Sequence, residues 1–181
     1  MKHLSSALKK RVTPRMLFFA ALISGSLLSC HKTADSSINA GNNSSVNAGN
    51  NASQYSSEVI DKWITMQLRL MRNSVGIPNV AFSRYYAYSG VAAFEAQAPG
   101  DLTNASLSSK WNGLTNLPQA DKFNLFYWPA SVNTALAFMN RNIFTAANAT
   151  DSMAIDSIEN ALNASYVAIK PADVIIRSNA F

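Results

Sequence analysis

The sequence predicts an all-α protein, a helical bundle of about four to five helices lying within residues 57–181. Beyond residue 57 apolar side chains recur at intervals of three and four, which gathers them on one face of a helix. Three of these stretches run into Gly or Pro, and no run alternates apolar with polar residues over a useful strand length.

Ser57 opens the first helix, with Glu58 and Asp61 in the first turn, where carboxylates favour the positive end of the helix dipole. Val59, Trp63, Met66 and Leu70 form its apolar face, flanked by Ile60, Ile64 and Met71, and Gly76 with Pro78 stops it. The second helix is expected over about Val80–Ala98. It is aromatic at its start (Phe82, Tyr85, Tyr86, Tyr88), then small (Ser89, Gly90, Ala92, Ala93, Ala96), a surface that lets another helix approach closely. Pro99-Gly100 ends it. Residues 101–120 read as a loop, with Trp111 and Leu114 expected to pin it to the core. Pro129 suits the first turn of a helix, where its missing amide would lack a partner anyway, so a third helix is predicted from about Ala130 to Phe144 with Val132, Leu136, Met139 and Ile143 on one face. A fourth starts near Asp151 and carries Ile155, Ile158 and Leu162 as far as about Tyr166. Lys170-Pro171 breaks it, and Asp173–Phe181 begins a further element whose pattern is still running at Phe181. The bundle is therefore expected to be an incomplete portion of a larger helical domain.

The 181 residues are 48% apolar and 14% charged, too apolar for a disordered chain. The net charge of +5 is local. Lys2, Lys9, Lys10, Arg11 and Arg15 precede residue 30 with no acidic residue among them, and ten basic residues balance ten acidic ones thereafter. Nucleic-acid binding by bulk charge is thereby excluded for the folded part.

The basic stretch leads into Met16–Leu28, thirteen uncharged and strongly apolar residues, too few to span a bilayer and the right length for a signal-peptide core. The run ends in Leu27-Leu28-Ser29-Cys30, which resembles the lipobox of bacterial lipoproteins. That resemblance implies a signal peptide over 1–29, a diacylglyceryl group on the Cys30 thiol and cleavage before it. It also implies a lipid-anchored protein of the cell envelope, on the outer membrane of a Gram-negative bacterium, since His31 and Lys32 follow the Cys without an Asp at the next position. Cys30 is the only cysteine, so the chain forms no internal disulfide. Residues 30–56 are rich in Asn, Ser and Gly and contain an eight-residue repeat beginning at Asn39 and Asn47. They read as a flexible tether, whose roughly 25 residues reach about 25–30 Å.

Chemistry is sparse in what remains. The two histidines are His3 and His31, both outside the folded part, and with Cys30 committed to lipid, nucleophilic triads and His/Cys metal sites are excluded there. Asp156 and Glu159, at i and i+3, are the available carboxylate pair and read as a solvated helix face rather than an acid/base couple. Ser83-Arg84 is a candidate anion ligand without partners, and Arg84 reads first as stacked on tyrosines or paired with a carboxylate. No Gly spacing cradles a phosphate.

Val59-Ile60-Asp61-Lys62-Trp63, Arg84-Tyr85-Tyr86-Ala87-Tyr88-Ser89-Gly90-Val91-Ala92-Ala93-Phe94-Glu95-Ala96, Trp128-Pro129 through Phe144, and Ile175-Ile176-Arg177-Ser178-Asn179-Ala180-Phe181 together carry a family resemblance. They resemble the amino-terminal helical region of lipoprotein-type vanadium-dependent haloperoxidases, relatives of the type 2 phosphatidic acid phosphatases. The resemblance implies peroxide-dependent halide oxidation or phosphate-ester hydrolysis by a full-length protein that holds vanadate or phosphate. It does so through a Lys…Arg-Pro pair, a Pro-Ser-Gly-His segment and a Ser-Arg…His segment further along. None of these maps onto this sequence, so no catalytic, cofactor-binding or metal residue is carried over. The expectation is a fragment inactive by itself, with no cofactor of its own, attached to the membrane through its lipid and making contact with a missing catalytic half or with itself. The alternative is a non-enzymatic helical surface lipoprotein that binds a partner.

Overall fold

Hydrophobic periodicity places five helices where the sequence asks for them, and the fourth alone among them has a side-chain N-cap bond, made by Asn148. The computed structural model describes residues 51–101, 103–121 and 123–181, all within one compact unit. The signal peptide, the lipobox Leu27-Leu28-Ser29, Cys30 and most of the tether lie outside the described residues. The helices are α1 (Glu58–Asn73), α2 (Asn79–Glu95), α3 (Trp128–Ile143), α4 (Ala149–Val167) and α5 (Ala172–Ala180), and no strand occurs among the described residues.

The architecture is a hub with spokes. Helix α3 packs against each of the other four, and α4 also touches α1 and α5. A helix surrounded in this way has to be apolar or small nearly all round, and the first half of α3 is: Trp128, Pro129, Ala130, Ser131, Val132 and Asn133 are all buried. Pro129 stands in its first turn as predicted. The buried stripe, however, runs through Val132, Asn133, Leu136, Ala137 and Asn140 to Phe144, while the predicted Met139 and Ile143 are only half-buried. Asn140 and Phe144 take their places, and Asn133, like Asn140, has 0% exposure. Asn133 explains itself: its Oδ1 accepts from Trp63 Nε1 at 2.8 Å, and its Nδ2 donates to the Glu159 carbonyl at 3.1 Å and to Asn163 Oδ1 at 3.3 Å. One amide thus joins α1, α3 and α4.

The other seams carry similar clasps. Gln67 donates to Ser89 between α1 and α2. Ser131 Oγ donates to the Ser178 carbonyl at 2.8 Å, and the Tyr127 amide donates to Ser178 Oγ at 2.8 Å, fixing α5 to the start of α3. Helix α1 buries Val59, Trp63, Met66 and Leu70 as its spacing predicts, with Gln67 added and Ile64 left exposed.

Helix α2 ends at Glu95, three residues before the expected Ala98, because Ala98–Gly100 tightens into a 3-10 turn. The turn brings Gly100 beneath Trp128, where a Cβ would stand 2.0 Å from the indole nitrogen. Only glycine fits there. Two other expectations are corrected. Trp111 is 51% exposed and does not pin the loop; that task falls to Glu95, whose Oε1 accepts from the Leu107 amide at 2.7 Å. At the other end, Ala52 is buried and the Tyr55 ring meets Tyr127 edge-on at 5.1 Å, so the chain engages the bundle before Ser57.

Replacing Gly100 by Ala forces the indole to move and should cost on the order of 1–3 kcal/mol, as overpacked cores do. Gly90, in mid-α2 with nothing within 4 Å of a built Cβ, is the control: Gly90→Ala should be neutral or stabilising by up to about 1 kcal/mol. Urea titrations of the two variants followed by circular dichroism decide between them.

Candidate functional site

The residues singled out for chemistry do not converge. Arg84 is exposed on α2 and makes no ion pair among the described residues. Asp156 and Glu159 are held by one guanidinium on the neighbouring helix: Arg141 Nη2 lies 2.7 Å from Asp156 Oδ1, Nε lies 3.1 Å from the same oxygen, and Nη2 also donates to Glu159 Oε2. The bond to Glu159 is the main reason the Arg141 pKa rises, with Asp156 adding to it. The pair links α3 to α4 on the solvated face, where the side chains of Arg141 and Asp156 remain 40% and 58% exposed.

A more unusual carboxylate is Asp151, which is 1% exposed. It accepts from Asn73 Nδ2 at 3.0 and 2.9 Å, from Arg69 Nε at 2.9 Å and from Asn148 Nδ2 at 2.9 Å, while its own amide donates to Asn148 Oδ1 at 2.9 Å. Hydrogen bonds from Asn73 foremost, with those from Arg69 and Asn148, hold its pKa below the ordinary carboxylate value against the opposing effect of burial. The sequence marks Asp151 only as a helix start. The Asn148-x-x-Asp151 spacing, a capping box with Asp at its third position, is the local signal for its tie to Asn148. Nothing local announces that Arg69 and Asn73, one turn apart on α1, close over it.

A wide concavity lies where the polar clasps stop. No hydrogen bond joins α2 to α3 among the described residues. Between them runs an apolar groove with a volume of about 700 Å³, bounded by Ala92 of α2 and Ala96 at its C-terminal cap, Ala135 and Phe138 of α3, Leu117 to Ala120 of the loop, and Phe181. It continues past Met139 and Asn179 into a second hollow of about 280 Å³. Ala92 and Ala96, one turn apart, leave the helix backbone open to close approach, and Phe138 beside them is 63% exposed. The start of the loop, residues 103–107, is held by carboxylates. Glu95 holds Leu107 as described, and Asp101 accepts from the Thr103 amide at 2.7 Å, the Asn104 amide at 3.2 Å and Asn104 Nδ2 at 2.7 Å. Those bonds, that of Asn104 first, lower the Asp101 pKa to about 2.

Among the described residues no helix is long and apolar enough to cross a membrane, and no group of three His, Cys, Asp or Glu residues is placed to hold a metal ion. No protein family, curated protein or solved structure matches the chain.

The buried Asp151 makes stability depend on acid. Its pKa is lower folded than unfolded, so its contribution is fully present above the unfolded value of roughly 3.9 and is lost as pH falls through the folded value. Asp151→Ala should lose about 2–4 kcal/mol at neutral pH and flatten the fall in stability below pH 4, read from denaturation midpoints between pH 7 and 2.5.

Proposed function

We propose that residues 57–181 are the amino-terminal helical portion of a lipid-anchored, vanadium-dependent haloperoxidase-like or acid-phosphatase-like protein, and that the groove between α2 and α3 receives an apolar helix of the catalytic half. The open groove is the observation that carries this reading. Its floor of alanines one turn apart suits a helix axis at 8–10 Å, and the exposed Phe138 on its rim is costly to leave in water.

Vanadate itself does not fit the residues present. The folded part has no His to bind the metal axially. Three of the arginines are already engaged, Arg69 on Asp151, Arg141 on Asp156 and Glu159, and Arg177 on Asp173 and the Leu125 carbonyl, while Arg84 is exposed on α2 without an ion pair among the described residues. In this reading the bundle contributes scaffold and attachment to the envelope, and the oxyanion pocket is built by the other half.

The decisive observation is the reading frame beyond codon 181. Continuation into Lys…Arg-Pro and Pro-Ser-Gly-His segments supports the proposal; a stop codon, with a stable monomeric product, overturns it in favour of a non-enzymatic lipoprotein that binds a partner. The groove is testable on the 181-residue chain too. A dye such as anilinonaphthalene sulfonate should bind it, and Phe138→Ser should lower the fluorescence at least twofold while changing stability by no more than about 0.5 kcal/mol.

A further inference from the structure

Where the starts of α1 and α3 meet the end of α4, the bundle carries a cluster of three tyrosines. Tyr127 meets Tyr55 at 5.1 Å with the rings at 84° and Tyr166 at 5.0 Å with the rings at 66°. Beside them is a cavity of about 80 Å³, several times the roughly 10–15 Å³ that admits one water, lined also by Glu58 and Ser165. The three tyrosines share its lining with Val59, Pro129 and Leu162, and the Glu58 carboxylate belongs to it too.

The chain itself shows what this environment attracts. Lys170 is only half-buried and its long stem could carry the ammonium into water, yet Nζ lies 5.5 Å from the centroid of Tyr127. The ring quadrupole attracts a cation over its face. Two further sources of negative potential meet here. Ser165 and Tyr166 belong to the last turn of α4, the negative end of its dipole. Glu58 is close enough that its charge helps raise the Tyr127 and Tyr166 pKa values, after the larger effect of burial. Helix α1 begins at the same place with its positive end, and the Glu58 carboxylate offsets it. Lys62, 2.6 Å from Glu58, is the other cation in reach and sits on the solvent side of α1.

We propose that the cavity formed by Tyr55, Tyr127, Tyr166 and Glu58 is a binding site for an organic ammonium group, with Lys170 as its internal competitor. The site is independent of the haloperoxidase-like reading and of the α2–α3 groove. Its ligand class is a small primary or methylated ammonium, free in solution or displayed on a lipid headgroup.

The test titrates the whole protein with tetramethylammonium chloride and with ethanolammonium chloride at constant ionic strength, following the tyrosine ring proton shifts. Saturable binding by either cation is expected, with no matching response to neutral tert-butyl alcohol. Lys170→Ala should tighten binding about threefold by removing the competitor, and Glu58→Gln should weaken it about threefold. Both positions are on the surface, so both variants will fold, and Tyr166→Phe, which keeps the ring face, should bind within about twofold of the parent. Co-sedimentation with phosphatidylethanolamine vesicles but not phosphatidylglycerol vesicles, abolished in Glu58→Gln, assigns the ammonium to a headgroup; saturation by soluble ethanolammonium without vesicle binding assigns it to a free ligand. The proposal falls if neither cation saturates in the parent or in Lys170→Ala, if tert-butyl alcohol gives the same response, or if Glu58→Gln and Lys170→Ala both leave affinity unchanged.

Discussion

The bundle depends on one buried amide. Asn133 lies in the middle of α3 with no exposure to solvent, and three bonds from its side chain reach α1 through Trp63 and α4 through Glu159 and Asn163. Burying an amide without partners costs a few kcal/mol, so a helix pair that slides by one residue leaves at least one of those groups unsatisfied. Apolar contacts alone would tolerate several registers of α3 against its neighbours. The asparagine selects one. Trp63 has the same property from the other side, since a large apolar body that ends in a single N–H can be buried completely only where an acceptor waits.

The remaining seams repeat this logic with different residues: Gln67 with Ser89, Ser131 with Ser178, and Arg69 with Asp151. Each clasp joins elements that have to hold their places. The α2–α3 seam has none among the described residues and is lined instead by alanines and phenylalanines. Ring contact between Tyr85 and Phe144 at 5.1 Å secures one end of it, and Gly100 under Trp128 brings the turn after α2 close to the other. Between those points the two helices pack through small and apolar side chains, Ala93 sharing one buried cluster with Leu136 and Ala137, and the groove opens on the outer side of that contact.

Much of this was legible in the sequence, and what was not has physical reasons. The α1 face was legible because four large apolar residues at helical spacing leave little choice, and the start of α3 because proline restricts where a helix can begin. On α3 the expected Val132 and Leu136 are buried, but Asn140 and Phe144 take the places expected of Met139 and Ile143, and Asn133 is added, because a buried asparagine looks like a surface residue until its partners are known. Asp151 was hidden for the same reason: Arg69 and Asn73 belong to a helix some eighty positions earlier. The run of small residues in α2 could be seen, but not that it divides, with Ser89 and Ala93 buried and Ala92 and Ala96 lining the groove. Trp111 misled because a tryptophan in a polar loop suggests an anchor, whereas a carboxylate and a backbone amide hold that loop.

The bond from Arg69 to Asp151 spans 82 positions, while α3 and α4 are joined by a connection of five residues, 144–148. Closing the short connection costs little entropy, so the α3–α4 hairpin is available as a nucleus before any long loop closes. Helix α1 is in the opposite position. On a ribosome it emerges first, with Trp63, Arg69 and Asn73 already in place on the chain, but Asn133 and Asp151 arrive only after another sixty to ninety residues. During that interval its apolar face has no native surface to cover it. Nascent α1 is therefore the stretch of the folded part that most needs shielding, and the later helices determine when that need ends.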